Sequence, residues 1–224
     1  MYYRGQEKVI MGVPLLRVRY TIEEYLVMER ASEERHEYLD GDVYAMAGES
    51  PEHSAICMNL YGSLWPQLRD TPCQVFAKDT KVRSGRLPLP GHAMQGLFSY
   101  PDLVGVCGAM QFHDQVRDVL LNPSLIIEVL SPSTEAFDRG EKFRRYRTWL
   151  PTLQDYLLVV QDKPLIDHYH RVEENRWELV PREGLEASLH LESVHCTLRL
   201  ADVYDRIIFP PEDAELAQDQ PAGS

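Results

Sequence analysis

The segment from Ser124 to Leu130 constrains the fold more than any other part of the chain, because it is apolar at nearly every position. Successive side chains of a strand point to opposite faces, so an apolar run without alternation predicts a strand that is covered on both faces. The run from Tyr100 to Cys107 has the same character. Together the two runs predict central strands of a buried sheet.

One residue breaks the apolar pattern of the first run, since Glu128 is surrounded by Leu, Ile and Val. Burying an ionised carboxylate costs several kcal/mol unless it is paired or binds a metal. Asp102 begins the apolar part of the second run. Two carboxylates facing one side would form a site for a hard cation such as Mg²⁺ or Mn²⁺. The alternative is that each carboxylate caps a backbone turn or pairs with an arginine.

Local patterns predict most of the other helices and strands. Thr21 with Glu24 forms a capping box ahead of helically spaced apolar residues, which predicts a first helix. Asp40-Gly41 predicts a tight hairpin turn between two short strands. The remaining predictions follow in chain order: a helix capped by Ser50 with Pro51 at its first position and ending near Leu68, a strand from Val75 to Val82, a Gly- and Pro-rich surface loop over 85–99, a helix capped by Ser133 and Thr134 and extending to about Leu150, and strands from Asp155 to Val160 and from Leu165 to Arg171.

Helices and strands alternate irregularly in this reading, which predicts an α/β fold of the α+β mixed-sheet type, with a central mixed β-sheet flanked by helices. The length of 224 residues, with 44% hydrophobic and 26% charged residues, fits one globular domain. We expect an N-terminal extension over 1–20, a single domain over 21–209 and a disordered tail over 210–224. The sequence has no apolar run of bilayer length and no secretory signal, which predicts a cytoplasmic protein.

The four cysteines are widely spaced, which favours reduced, mostly buried thiols. The formal net charge of -12 argues against general nucleic-acid binding, so any contact with DNA must be local. One basic cluster in the helix after the second apolar run could supply that contact: Arg139, Lys142, Arg144, Arg145 and Arg147. A solvated helix face explains the four arginines equally well.

Asp138 and Lys142 lie four residues apart on the predicted helix and therefore share a face. By default they form an ordinary surface ion pair. The helix directly follows the strand of Glu128, however, and could return the lysine toward that strand. There its charge would stabilise a phosphate undergoing cleavage or position the attacking water.

Several motifs occur together in an order that resembles the Uma-two family of restriction-endonuclease-like proteins, a branch of the PD-(D/E)XK nuclease superfamily. The resemblance spans roughly Thr21 to Arg171. The segments that carry it are Glu37 with Tyr38-Leu-Asp-Gly41, His53, Tyr100-Pro-Asp-Leu103, Pro123-Ser-Leu-Ile-Ile-Glu-Val-Leu-Ser-Pro-Ser-Thr134, Asp138, Lys142, Tyr146 and Asp155-Tyr-Leu-Leu-Val159.

The resemblance implies a restriction-endonuclease-like core and a metal-dependent endonuclease that hydrolyses DNA. Asp102 and Glu128 would then be catalytic metal ligands for Mg²⁺ or Mn²⁺, with the carbonyl of Val129 as a third ligand. Leu130 occupies the position of the superfamily's usual lysine, so the resemblance assigns that role to Lys142. Supporting roles fall to Glu37, His53, Asp138 and Tyr146. Many nucleases of this superfamily act as pairs, which implies a homodimer.

The rival interpretation is a non-catalytic nucleic-acid-binding or assembly protein that retains the nuclease fold. Individual residues also have simpler explanations. His53 could equally be a histidine hydrogen-bonded near a helix terminus. His168 and His170 share a face of a strand, but without a third ligand we interpret them as structural or surface residues. Helix capping explains Ser131, Ser133 and Thr134 better than a nucleophile does.

Overall fold

Strand β8 (Leu125–Val129) lies inside a six-stranded mixed sheet, as its unbroken apolar sequence predicts. The computed structural model describes residues 18–46, 48–86 and 94–210. In the sheet, β8 pairs antiparallel with β6 (Leu103–Cys107) and parallel with β9 (Asp155–Val159). All five residues of β8 are buried, which confirms that this run is a central strand.

The described residues form three sheets. The six-stranded sheet has the order β11-β10-β9-β8-β6-β3, a five-stranded sheet has the order β2-β1-β5-β4-β7, and β12 pairs with β13. The remaining strands are β1 (His36–Leu39), β2 (Asp42–Ala45), β3 (Cys73–Ala77), β4 (Lys81–Ser84), β5 (Leu97–Ser99), β7 (Val119–Leu120), β10 (Leu165–Glu173), β11 (Arg176–Glu183), β12 (Ser188–Leu191) and β13 (Cys196–Arg199). The helices are α1 (Ile22–Ala31), α2 (Pro51–Leu68), α3 (Glu135–Phe137), a π-helical segment (Asp138–Lys142), α4 (Phe143–Trp149) and α5 (Leu200–Val203).

The two faces of the six-stranded sheet are covered by different elements. Leu125, Ile127 and Val129 pack in one apolar cluster with α2 and with the β12–β13 pair. Ile126 packs in a second cluster on the other face, with α4 and with residues of the five-stranded sheet. Because side chains alternate along a strand, Glu128 points to the α4 face. The flanking layers therefore contain small sheets as well as the predicted helices.

The local patterns at the N-terminal end of the domain are confirmed. Thr21 accepts a hydrogen bond from the Glu24 N–H, and Glu24 accepts one in return from the Thr21 N–H, so the capping box begins α1. Asp40 and Gly41 both have positive φ, at 47° and 100°, as the tight turn between β1 and β2 requires. Ser50 caps α2, which ends at Leu68 as expected.

Two predictions for the middle of the chain are wrong. The strand expected from Val75 to Val82 is two strands, because the chain turns at Lys78 and Asp79 and β3 and β4 join different sheets. Part of the loop predicted over 85–99 is the buried strand β5, which pairs with β1 and β4. A three-residue strand has too few positions to show a repeating pattern of apolar residues in the sequence. Residues 87–93 of the predicted loop lie outside the described residues.

The predicted helix after β8 is interrupted. The π-helical segment separates α3 from α4, and Thr134 makes no side-chain capping hydrogen bond. Ser131 instead bonds to the hydroxyls of Ser133 and Thr134, at 3.1 and 2.9 Å. The predicted capping role of these hydroxyls is therefore wrong, since they bond to one another.

The cysteines correct another expectation. Cys73 and Cys107 lie directly opposite each other in the β3–β6 ladder and form a disulfide, so the prediction of a reduced thiol is wrong for this pair. Cys57 and Cys196 are free and buried, as predicted.

The described residues include little of the predicted N-terminal extension and none of the predicted tail beyond residue 210. The predicted extension and tail lie outside the described residues over 1–17 and 211–224. Tyr20, at the end of the extension, donates its N–H to the Gly41 carbonyl at 2.9 Å. Over the described ranges, no helix combines the length and the apolar character needed to cross a membrane.

Candidate active site

A cleft of about 800 Å³ opens where β8 ends, between the β1–β2 hairpin, the start of α2 and the π-helical segment. It collects most of the residues singled out in the sequence. Those that line it are Glu37, His53, Asp102, Glu128, Val129, Ser131, Ser133, Thr134, Asp138 and Lys142. Tyr146, which lies on α4, is fully buried in the apolar cluster on the α4 face of the six-stranded sheet.

Lys142 lies at the centre of an acidic group on one side of this cleft. Its Nζ is 3.0 Å from Glu128 Oε1, 3.1 Å from Asp138 Oδ1 and 3.4 Å from Glu37 Oε1. Asp138 and Lys142 are both buried, so the default interpretation as a surface ion pair is wrong. The helix returns the lysine to the strand that carries Glu128.

The π-helical segment explains how Asp138 and Lys142 both reach the cleft. Its first and last residues are buried, whereas the three residues between them are partly or fully exposed. The Tyr156 hydroxyl donates to the Asp138 carbonyl at 3.0 Å and so holds the first residue of the wide turn. Single π turns within α-helices occur frequently at functional sites.

The charges around Lys142 do not cancel. Three carboxylates against one ammonium leave a formal charge of −2 when all four groups are ionised. Burial raises the pKa of Glu128 well above its ordinary value, and the neighbouring acids raise it further against the opposing effect of Lys142. Burial alone would lower the pKa of Lys142, but the surrounding carboxylates outweigh burial and raise it.

Glu128 Oε1 has an electrostatic partner but no hydrogen-bond donor. The atom is buried, and its contact with Lys142 Nζ does not have hydrogen-bond geometry, so it has no hydrogen-bond partner among the described residues. A buried carboxylate oxygen in this state is costly. Carboxylate and carbonyl oxygens are the ligands that hard divalent cations prefer, so the residues of the cleft fit such an ion.

Asp102 lies beside Glu128, one residue beyond the Leu103–Ile127 pair of the β6–β8 ladder, and is held by three groups. Its Oδ2 accepts the Val129 N–H at 2.7 Å and lies 3.3 Å from His53 Nε2. Its Oδ1 is 3.7 Å from Lys78 Nζ. Burial opposes ionisation of Asp102, but these contacts outweigh burial and lower its pKa. Asp102 is therefore an anion whose position is set by the end of β8.

His53 combines the two alternatives left open by its sequence position. It lies in the first turn of α2, where its N–H donates to Ser50 Oγ, and its ring reaches into the cleft. Its Nε2 is 3.0 Å from the Val129 carbonyl, the predicted third metal ligand. Burial opposes the charged ring, but the contacts with Asp102 and Val129 raise the pKa of His53. His53, Cys57 and Asp102 each offer a ligand atom within 4.8 Å of the others.

Two site residues were missed in the sequence. Lys78 and Glu49 form an ion pair beside His53, and Lys78 Nζ is 3.4 Å from His53 Nδ1. Burial lowers the pKa of Lys78, and Asp102 partly opposes that effect. Both residues lie in segments between helices and strands, where a charged side chain is ordinary. No sequence pattern separated them from surface residues.

Glu37 and Tyr146 connect the cleft to the layers around it. Glu37 Oε1 accepts the Tyr100 N–H at 3.2 Å, which ties β1 to the segment before Asp102. The Tyr146 hydroxyl bonds to Ser99 Oγ at 2.6 Å, and its ring packs edge-on against Tyr156. Tyr146 therefore anchors its own helix, α4, to β5 and β9.

The basic cluster does not form a continuous positive surface. Arg139 pairs with Asp167, and Arg144 and Arg145 both pair with Glu141. The contacts of these three arginines favour the alternative of a solvated helix face. Arg147 packs over a phenylalanine ring of the same helix, Phe143.

The comparisons with known proteins agree with this architecture. The sequence model of the Uma2 family, described as "Putative restriction endonuclease", matches residues 22–201. Two proteins of Synechocystis sp. are similar over most of their length, and both are described only as uncharacterized. The first, slr1290, is 34% identical over 84% of this chain and 92% of its own. The second, sll1609, is 32% identical over 75% of this chain and 90% of its own.

A solved structure shares the fold. It is the crystal structure of a "putative nuclease belonging to DUF820" from Anabaena variabilis, which aligns with a TM-score of 0.63 over 84% of this chain and 99% of that one, at 16% sequence identity. The restriction-endonuclease-like fold predicted from the sequence is thus confirmed. Since the family match extends across both central strands and the helix that returns Lys142, this chain belongs to the Uma2 family.

Proposed function

We propose that the protein is a divalent-metal-dependent endonuclease that hydrolyses DNA phosphodiester bonds, using Mg²⁺ or Mn²⁺. Asp102 and Glu128 would hold the metal, and Lys142 would be the catalytic lysine. The observation that carries the proposal is Glu128 Oε1, a buried carboxylate oxygen that lies 3.0 Å from a buried lysine and has no hydrogen-bond donor within residues 18–46, 48–86 and 94–210.

Charge balance supports a dication at this site. When all four groups are ionised, the group around Lys142 has an excess of two negative charges, and Asp102, beside Glu128, adds another. Buried like charges destabilise one another strongly in a medium of low dielectric constant. A bound divalent cation would remove most of this repulsion. Glu128 Oε1 would coordinate the ion directly, without needing a hydrogen-bond donor.

The residues of the cleft have distinct parts in the proposed reaction. A bound dication would activate water and neutralise charge on the phosphate. Lys142, whose pKa is raised by its acidic neighbours, stays protonated and would stabilise the developing negative charge instead of acting as a base. Asp138 and Glu37 hold its ammonium group in place. The Val129 carbonyl would join the ligands by sharing its contact with His53.

The substrate and the assembly are also part of the proposal. Lys142 is the only Lys or Arg that lines the cleft among the described residues, so contact with DNA would be local in a chain of net charge -12. A homodimer would present two clefts, one for each strand of a duplex.

Plasmid nicking tests the catalytic claim. Supercoiled DNA with Mg²⁺ or Mn²⁺ is incubated with wild type, Glu128→Gln and Lys142→Met. Glu29→Gln serves as the matched control, because Glu29 is 5% exposed, close to the 4% of Glu128, and lies outside the cleft. We expect wild type and the control to nick, and the two cleft variants to be slower by about 100-fold or more.

Equal cutting by all four proteins would identify a contaminating nuclease and contradict the proposal. Binding of DNA by wild type without cutting in either cation would favour the rival function, a non-catalytic nucleic-acid-binding protein. Titration with Mn²⁺ tests the ligands separately, because Asp102→Asn should bind the ion more weakly than wild type. Equal Mn²⁺ affinity of the two proteins would show that Asp102 is not a ligand.

A further inference from the structure

A second cluster of metal-binding side chains lies outside the cleft. Asp155 begins β9, and its Oδ1 is 2.7 Å from His168 Nε2 and 2.8 Å from His170 Nδ1, both on β10. The three ligand atoms all lie within 4.8 Å of one another. The sequence showed the histidine pair, and the fold supplies the missing third ligand from the neighbouring strand.

This cluster and the active-site candidate occupy opposite faces of the same sheet. Glu128 points to the α4 face, whereas Leu157 and Val159, which share a face with Asp155, pack against α2. In the parallel β8–β9 ladder Glu128 lies beside Leu158, three residues further along the strand than Asp155. Three residues of strand span roughly 10 Å, so the two groups cannot share one ion.

The backbone holds the three side chains in a fixed arrangement. His170 is the direct cross-strand partner of Asp155, and His168 lies two residues earlier on the same face. The second carboxylate oxygen, Asp155 Oδ2, accepts the Ser193 N–H at 3.0 Å, which orients Oδ1 toward the two rings. Partners of this kind commonly orient metal-binding groups.

The spacing fits a small transition-metal ion after a slight adjustment. Zinc binds histidine nitrogen and carboxylate oxygen at about 2.0–2.2 Å, which places tetrahedral ligand atoms roughly 3.3 Å apart. The carboxylate oxygen and the ring nitrogens, now at 2.7 and 2.8 Å, would separate by roughly half an ångström. Asp155 is fully buried and the His168 side chain is 7% exposed, but the His170 side chain is 28% exposed. The ion would enter past His170, and water would fill its fourth position.

We propose that Asp155, His168 and His170 form a binding site for a divalent transition metal of the zinc type, separate from the nuclease cleft. Two imidazoles select zinc, cobalt or nickel over Mg²⁺, which prefers oxygen ligands. The bound ion would join β9 to β10. Through Asp155 it would also brace the turn between β12 and β13, where Ser193 lies. The site is structural and does not depend on the proposed nuclease activity.

Titration of the metal-free full chain with Co²⁺ tests this site directly. Four-coordinate Co²⁺ with histidine ligands absorbs visible light strongly, and a histidine variant shows whether the absorption comes from this site or from His53 and Cys57 at the cleft. The test variant is His170→Gln, whose amide can still donate a hydrogen bond to Asp155 without ligating the ion as imidazole does. The control is His190→Gln, at an exposed histidine of another cluster.

We expect one equivalent of Co²⁺ to produce the strong absorption in wild type and in His190→Gln, and Zn²⁺ to displace it. His170→Gln should bind Co²⁺ at least about 100-fold more weakly, because removing even an outer partner of a metal ligand costs 10- to 100-fold. Zn²⁺ should raise the Tm of wild type and leave that of His170→Gln unchanged. Absence of the absorption in wild type, its persistence in His170→Gln, or its loss in His190→Gln would each overturn the proposal.

Discussion

Two buried carboxylates on neighbouring strands, Glu128 on β8 and Asp155 on β9, deal with burial in opposite ways. Both oxygens of Asp155 are hydrogen-bonded, to two histidine rings and to the Ser193 N–H. Glu128 has one oxygen with no donor in the described part of the chain, and it lies near two other acids that share a single lysine. A carboxylate with all its partners stabilises the fold, whereas one without them costs stability. A chain tolerates that cost where the group serves a function.

The largest expected effect is the loss of stability in Asp155→Ala. Removing this carboxylate leaves two imidazoles and a backbone N–H without their acceptor, which should lower the free energy of unfolding by about 3 kcal/mol. Urea denaturation of the metal-free protein, followed by circular dichroism, measures the difference. Asp162→Ala, at an exposed position in the turn after β9, is the control and should change little. A loss below about 1 kcal/mol would show that the hydrogen bonds of Asp155 contribute little to stability.

The dependence of stability on pH should separate the two carboxylates by sign. Hydrogen bonds from His168, Ser193 and His170 outweigh burial and lower the pKa of Asp155 from 3.8 to about 2. Its contribution, about 2 kcal/mol, is therefore complete above pH 3.8 and is lost as the pH falls toward 2. The pKa of Glu128 is raised above 4.5, so its contribution is complete below pH 4.5 and is lost as the pH rises through the raised value.

Urea midpoints in EDTA check both signs. Above pH 4.5, wild type should lose stability relative to Glu128→Gln as the pH rises through the raised pKa of Glu128, and below pH 4 it should lose stability relative to Asp155→Asn as the pH falls. Parallel curves for wild type and Glu128→Gln would show that ionisation of Glu128 does not change the stability of the protein.

A smaller effect of opposite direction is expected for Glu128→Gln at pH 7.5. The amide removes a buried carboxyl group that burial and the neighbouring acids make costly to ionise, so the free energy of unfolding of the metal-free protein should rise by about 1 kcal/mol while nicking slows by about 100-fold. Glu29→Gln is again the matched control, because Glu29 accepts hydrogen bonds from the Tyr100 hydroxyl and the His36 N–H and should lose stability. Destabilisation of both variants would mean that Glu128 is an ordinary satisfied acid.

The smallest effect is expected at a surface ion pair, which extends the comparison to the outside of the protein. Arg144 pairs with Glu141 at 2.6 Å, with the arginine side chain 53% exposed. Arg144→Ala should change the free energy of unfolding by less than about 0.5 kcal/mol, because exposed ion pairs contribute little. The rate of plasmid nicking should stay at the wild-type level across a range of salt concentrations. A steep loss of nicking at higher salt would instead assign Arg144 to the DNA contact.

The sequence predicted those parts of the site that depend on a single strand or turn. Unbroken apolarity identified β8 and made Glu128 anomalous, and Asp40-Gly41 located the first hairpin. What escaped depends on contacts between segments that are distant in sequence. Asp155 lies 13 residues before His168, and only the antiparallel register brings them together. Lys78 became a neighbour of Asp102 because β3 and β4 part at a turn, and Cys73 met Cys107 through the same kind of cross-strand pairing.

The π-helical segment has a consequence for how the site tolerates changes in chain length. A π turn contains one residue more than an α turn, so the stretch from Asp138 to Lys142 behaves as a one-residue insertion in an otherwise regular helix. Gly140, at its exposed middle, has no neighbouring atom within 4 Å of where a Cβ would lie. Deleting this glycine would let the helix close into a continuous α-helix. The wide turn already absorbs the extra residue, so the flanking turns would keep their phase, and Asp138 and Lys142, then three residues apart, would still share a face of the helix.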